Sequence, residues 1–180
     1  ADTIDANGGA DSINLAETVA AIDTVVLAAG DSTEAAMDKI SGFTTHASTG
    51  DVLNINTTTA AASIGATDVS GVTSEASDVV TASTSATGIM TLSGANAANI
   101  DTLAEWIDAA EVLLTTLVSA NTTADFLGVL AFEFNGNTYV VEGSDTVADA
   151  YTTSVVVELT GVTGITGLSA TAAANVIDIA

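Results

Sequence analysis

"DTIDANGGADSINL", residues 2–15, sets the pattern for the rest of the chain. Asp2-Thr3-Ile4 returns nine positions later as Asp11-Ser12-Ile13, with Asn7-Gly8-Gly9 between them. Inward aliphatics at Ile4 and Ile13 suit short parallel strands. A glycine turn between them lets backbone carbonyls approach a cation that the aspartates neutralise. Two such turns bury too little to stand alone, so they must cap a longer stack or pack on later strands of the chain.

The charge balance points the same way. Against 23 Asp and Glu stands a single Lys or Arg, Lys39, for a formal net charge of -22 over 180 residues. Nucleic acid is excluded as a partner because phosphate binding needs cations to displace counterions, and an anionic membrane surface is excluded for the same reason. No apolar run approaches the length of a bilayer span, so membrane insertion is not expected. A compact chain this acidic repels itself unless cations gather on it, and outside a cell the natural counterion for clustered carboxylates is Ca2+. With no cysteine there is neither a disulfide nor a thiolate metal site. The chain opens on Ala1 with no leader pattern, and reads as a processed product or a piece of a longer protein whose repeat is cut mid-pattern.

Beyond the glycine turn, strand patterns are expected at Thr24–Ala28, Lys39–Phe43 and Val52–Ile55, the last two preceded or opened by Asp38 and Asp51. Residues 56–100 are rich in Thr, Ser and Ala and read as weakly β or as an insertion. Residues 101–118 predict a helix: Thr102 and Glu105 form a capping box, and Leu103, Trp106, Ile107, Ala110, Leu113, Leu114 and Leu117 fall on one face. Trp106 belongs to that apolar stripe and reads as core. Asn135-Gly136 predicts a two-residue hairpin turn that sets Phe132 opposite Tyr139 and Leu130 opposite Val141. Residues 154–160 and the terminal "NVIDI" supply further strands. The expectation is a mainly β protein: 1–55 as the end of a calcium-binding parallel β-roll, 56–100 as a β segment or insertion, and 101–180 as a sandwich-like antiparallel sheet with one packed amphipathic helix.

Aligned on Asp11, residues 6–13 resemble the RTX nonapeptide GGxGxDxUx, with Gly9 on its third glycine and Ile13 on the large aliphatic U; Ala6 and Asn7 stand where the first two glycines belong. Asp38, Ile40 and Phe43, then Asp51, Leu53 and Ile55, look like the segment found after such repeats in proteins exported by type I secretion. "FEFNGNTYVVEGSDTV" and "VVVELTGVTGITGLSA" look like the terminal module of bacterial surface-layer proteins of that class. The resemblance implies an extracellular, calcium-dependent protein on the bacterial cell surface, a client of the type I secretion machinery.

The metal ligands expected from these patterns are Asp2, Asp5, Asn7, Gly8, Gly9 and Asp11, with Asp38 and Asp51 as further candidates, because oxygen-only donors on a glycine turn are what a hard cation takes. Chemistry of other kinds finds little support. His46 is the sole histidine and sits in a polar loop, and no phosphate loop is present. Lys39 reads as a local ion-pair partner rather than a reactive amine. The function expected is therefore structural and non-enzymatic: part of a secreted surface protein that forms a homo-oligomer or polymer such as an S-layer, sheath or filament. The alternative is an export and folding domain of a secreted adhesin or hydrolase, with no part in assembly.

Overall fold

The computed structural model describes residues 1–46, 49–56, 62–63, 67–73, 79–119, 127–145, 151–171 and 176–180. These form a mainly β protein with three sheets and one α-helix. The first five strands are β1 (Thr3–Asp5), β2 (Ser12–Asn14), β3 (Thr24–Ala28), β4 (Asp38–Ser41) and β5 (Val52–Asn56). They alternate between two sheets: β1, β3 and β5 pair in parallel in the first, while β2 and β4 pair in parallel in the second. Successive strands thus step back and forth between facing layers, and Ile13, Val25, Leu27, Ile40, Leu53 and Ile55 meet in the space between.

The remaining strands are β6 (Ala62–Ser63), β7 (Thr67–Thr73), β8 (Val79–Thr84), β9 (Met90–Ser93), β10 (Leu127–Phe134), β11 (Asn137–Asp145), β12 (Tyr151–Thr160), β13 (Leu168–Thr171) and β14 (Val176–Ile179). The second sheet runs β2-β4-β12-β11-β10-β6, and β12 is the join, parallel to β4 on one side and antiparallel to β11 on the other. In the first sheet β14 pairs antiparallel with β5, so the order is β1-β3-β5-β14-β13. Strands β7, β8 and β9 make a small antiparallel sheet within residues 56–100, parts of which lie outside the described residues.

The hairpin forms as its Asn-Gly turn requires. Asn135 and Gly136 both take positive φ, 48° and 80°, and Phe132 pairs with Tyr139 and Leu130 with Val141. Both faces of this hairpin are buried. Val129, Ala131 and Val140 face the first sheet, whereas Leu130, Phe132, Tyr139 and Val141 face the helix. A sheet covered on two sides explains the unbroken apolar run Val155-Val156-Val157 in β12, whose alternate residues fall into the two cores.

Helix α1 (Leu103–Ser119) starts at its capping box: Thr102 N–H donates to Glu105 Oε2 at 2.9 Å and Glu105 N–H to Thr102 Oγ1 at 3.4 Å. Ile107, Ala110, Leu113 and Leu114 are buried against the central sheet, together with Val72, Val80 and Met90 from β7, β8 and β9; the side chain of Leu117 lies outside the described residues. Trp106 is half-buried, stacks on Phe132 with ring centroids 5.4 Å apart, and donates its indole N–H to Ile100 O at 3.2 Å. Its place in the stripe makes it core. Among the described residues no helix is long and apolar enough to cross a membrane.

Candidate functional site

Each of the first five strands begins at or just after an aspartate, and the structure gives those aspartates a common arrangement. Asp2 N–H donates to Asp23 Oδ1 at 2.6 Å, and Asp23 N–H donates to Asp51 Oδ1 at 2.9 Å. In the second sheet Asp11 N–H donates to Asp38 Oδ1 at 2.8 Å. The return bonds run from Thr24 N–H to Asp2 O, Val52 N–H to Asp23 O and Lys39 N–H to Asp11 O, at 2.8 to 2.9 Å. An aspartate at the head of one strand thus caps the N–H at the head of the strand outside it. Asp23, Asp38 and Asp51 are nearly or fully buried, and charge-assisted bonds to backbone N–H are what make a carboxylate tolerable there.

At its inner end the ladder is closed by the protein's own loops. Asp38 N–H donates to Ser32 Oγ at 2.8 Å, and Ser32 also reaches β12, donating through its hydroxyl to Val156 O. Asp51 N–H donates to Thr44 O at 2.8 Å while its Oδ2 takes Thr44 N–H at 2.8 Å. Both oxygens of Asp51 are therefore engaged by backbone, far along the first sheet from the glycine turn. In the structure Asp51 caps two backbone N–H groups, those of Asp23 and Thr44.

The turn of residues 5–11 lies over the loop after β3. Asp5 Oδ1 accepts Asn7 N–H at 3.1 Å, Asn7 and Gly9 take positive φ of 58° and 134°, and Gly9 N–H donates to Asp31 O at 3.3 Å. A Cβ on Gly8 would stand 3.9 Å from Asp31 Oδ1, which places that carboxylate beside the turn. Asp31 Oδ2 in turn caps Ala28 N–H at 2.8 Å. Below them lies Asp38, fully buried, with Oδ1 spent on Asp11 N–H and Oδ2 buried without a hydrogen-bond partner. Burial pushes the Asp38 carboxyl up from the usual range; the Asp11 N–H opposes this, and the charges of Asp11 and Asp31 add to it.

Of the eight expected ligands, the structure brings Asp5, Asn7, Gly8, Gly9 and Asp11 together on one turn and sets Asp38 beneath it; Asp2 and Asp51 head the first sheet instead. Sequence reasoning passed over Asp31, Asp23 and Glu17. Asp23-Thr24-Val25 repeats the Asp-x-aliphatic pattern and was legible; Gly30-Asp31 carried only the glycine as a signal. Among the described residues, Asp2, Glu17 and Asp23 form one group whose carboxylate oxygens lie within 4.8 Å of one another. Asp23 Oδ1 there already accepts Asp2 N–H, which leaves less for a metal than the orphaned oxygen of Asp38 does.

The single cation is used elsewhere. Lys39 Nζ lies 3.2 Å from Glu158 Oε2, a nearly buried carboxylate that also meets the Tyr139 hydroxyl at 3.3 Å. Burial pushes the Tyr139 hydroxyl up from its ordinary value. His46 is exposed.

A second acidic contact joins the loop after β3 to the helix. The exposed Glu34 carboxyl is pushed up by partial desolvation and then by the charges of Asp108 and Glu111. A folded-state pKa above the unfolded one means that the folded protein takes up the proton more readily, so this group's contribution to stability grows as pH falls through its folded value and is lost as pH rises. Glu34→Gln should remove that dependence and leave the protein slightly more stable at neutral pH, within about 0.5 kcal/mol for so exposed a side chain. Thermal melts of both proteins at neutral pH and near the carboxylate range measure it. A variant that loses stability at neutral pH would contradict the assigned repulsion.

No protein-family model, no curated protein and no solved structure matches this chain.

Proposed function

We propose that the protein is a non-enzymatic extracellular structural module, stabilised by calcium on its acidic strand heads, that serves a self-assembling bacterial surface layer, sheath or filament. The observation that carries the reading is the orphaned Oδ2 of Asp38, fully buried beneath a glycine turn and beside Asp11 and Asp31. A buried anionic oxygen with no donor costs several kcal/mol, and a hard cation is the partner this oxygen-only surrounding suits. Asp38, Asp11, Asp31 and the carbonyls of the turn would hold it. The ion supplies positive charge that one lysine cannot, and by binding only the folded arrangement it couples metal concentration to folding. A chain that stays loose where calcium is scarce and folds where it is plentiful suits export ahead of folding. The alternating parallel strands of residues 3–56 then read as the end of a β-roll.

Thermal melts followed by circular dichroism, in calcium and in EGTA, test this. A melting temperature several degrees higher in calcium is expected, since a ligand at 100 times its Kd adds about 2.7 kcal/mol. Asp38→Asn keeps an oxygen for Asp11 N–H but removes the charge, so its calcium response should shrink while its stability in EGTA holds or rises. Equal responses in the two proteins would contradict the site. Size-exclusion chromatography in calcium addresses assembly: ordered polymers favour the surface-layer reading, and a monomer favours an export and folding domain alone.

A further inference from the structure

Proteases that select Lys or Arg take that side chain into a pocket with a carboxylate at its base, and they hold the substrate backbone as an extended segment whose edges must be free. Over all 180 residues this chain offers them one bond, Lys39–Ile40, since it holds a single Lys and no Arg. Its loops, where proteolytic nicking concentrates, carry none. That bond lies in β4, an interior strand: Lys39 is in register with Ser12 of β2 on one side and with Glu158 of β12 on the other. Lys39 N–H donates to Asp11 O at 2.9 Å, and its chain neighbours Asp38 and Ile40 are fully buried. The Lys39 side chain is 58% exposed, yet Nζ lies 3.2 Å from the Glu158 carboxylate, which also accepts the Tyr139 and Thr160 hydroxyls at 3.3 and 3.0 Å. An exposed head is thus attached to a backbone with no free edge.

We propose that β4 conceals the chain's one cleavage site for proteases of this class, and that the site becomes available when the join between β4 and β12 opens. The partner is a protease whose specificity pocket carries a carboxylate. Hydrolysis adds water across the peptide bond, leaving a carboxylate on Lys39 and an amine on Ile40. It separates β1, β2, β3 and the glycine turn from the later strands and splits β4 itself. To seat the bond in a protease, the strand has to leave both neighbours, withdraw Nζ from Glu158 and bring Ile40 out of the core. The cut therefore follows an opening of the second sheet and not a loop fluctuation. Folded chains are spared and opened chains are cut once. This holds whether or not a cation binds beneath the glycine turn.

Limited digestion of the full chain with trypsin, at one fixed calcium concentration and followed by mass spectrometry, tests it. Residues 1–39 and 40–180 are the expected products. In native buffer they should appear about 1,000-fold or more slowly than from the urea-unfolded chain, after correction for trypsin's own activity on a small ester in the same urea. Below the unfolding transition the corrected rate should rise with urea, because opening limits it. Val19→Lys puts a cation in the loop between β2 and β3, at a position 79% exposed. With its circular dichroism unchanged, that variant should be cut in the loop about 100-fold or more faster, by initial rate, than at Lys39. A corrected rate at Lys39 that is the same with and without urea would overturn the proposal, and the urea series needs no variant. Equal initial rates at the two sites of the Val19→Lys protein would also overturn it, since β4 would then conceal nothing that an exposed loop does not.

Discussion

Replacing Asp51 by Ala should destabilise the protein by about 2–4 kcal/mol, because the buried N–H of Asp23 and the part-buried N–H of Thr44 lose charge-assisted bonds at 2.9 and 2.8 Å, and the first is left without an acceptor. Each such bond contributes about 1.5–3 kcal/mol net where it is buried, as at Asp23 N–H, and less at the exposed Thr44, where water can take the place of the carboxylate. Against a typical total of about 5–15 kcal/mol this is a large share. Urea unfolding followed by circular dichroism measures it. The loss should be the same in calcium and in EGTA, since both oxygens of Asp51 serve the backbone. Asp51→Asn should cost less: one amide oxygen still accepts, and only the second N–H meets an NH2 group. A loss for Asp51→Ala under about 1 kcal/mol, or one that calcium repairs, would contradict the capping role.

Phe132→Ala should cost about 3–5 kcal/mol. Phe132 is fully buried and stacks between Trp106 and Tyr139, with both ring centroids 5.4 Å away, so its removal leaves a cavity that neither rigid neighbour can fill. It also sits where the central sheet meets the helix, the contact on which α1 depends. That helix carries Glu105, Asp108 and Glu111 at three-residue spacing, and the repulsion among these like charges opposes helix formation. Trp106 is the sole tryptophan, and its emission should move to longer wavelength as the stack opens. Phe132→Leu should cost about 1.5 kcal/mol or less, since most of the volume is retained. Equal losses for Ala and Leu would mean that ring stacking, rather than filled volume, carries the contact.

The parts of the fold that were legible in the sequence share one property: their signals are local. Asn135-Gly136 fixes its turn because both residues must take positive φ, and that turn alone sets the pairing of Phe132 with Tyr139. Thr102 and Glu105 mark the start of α1 because their partners lie within one helical turn. The ladder was not legible in this way. Its partners are 21, 27 and 28 residues apart, so the nine-residue period of the opening turn is masked by crossovers of unequal length. Asp-x-aliphatic at each strand head was visible as a pattern, but taken alone it suggests ligands for a cation. Only stacking reveals that most of these carboxylates already have backbone donors. β13 was missed because "GLSAT", residues 167–171, has one large apolar side chain and no alternation, and pairing with β14 makes it a strand.

The same stacking narrows the candidate metal site. Eight residues share the chemistry of a calcium ligand, yet the arrangement singles out the place where an anionic oxygen is buried and unused. Asp38 Oδ2 is that place, with Asp31 rather than Asp51 as its neighbour. Asp31 could not be picked from the many other acids of the chain without knowing that the loop after β3 lies beneath the glycine turn.

Crystals grown in millimolar calcium, with an anomalous difference map collected at a long wavelength, would locate the ion itself. The expected result is a peak about 2.3–2.6 Å from Asp38 Oδ2, also coordinated by oxygens of Asp11, Asp31 or the turn between Asn7 and Gly9. A map with no peak at that oxygen, from crystals in which calcium is present at saturating concentration, would contradict it.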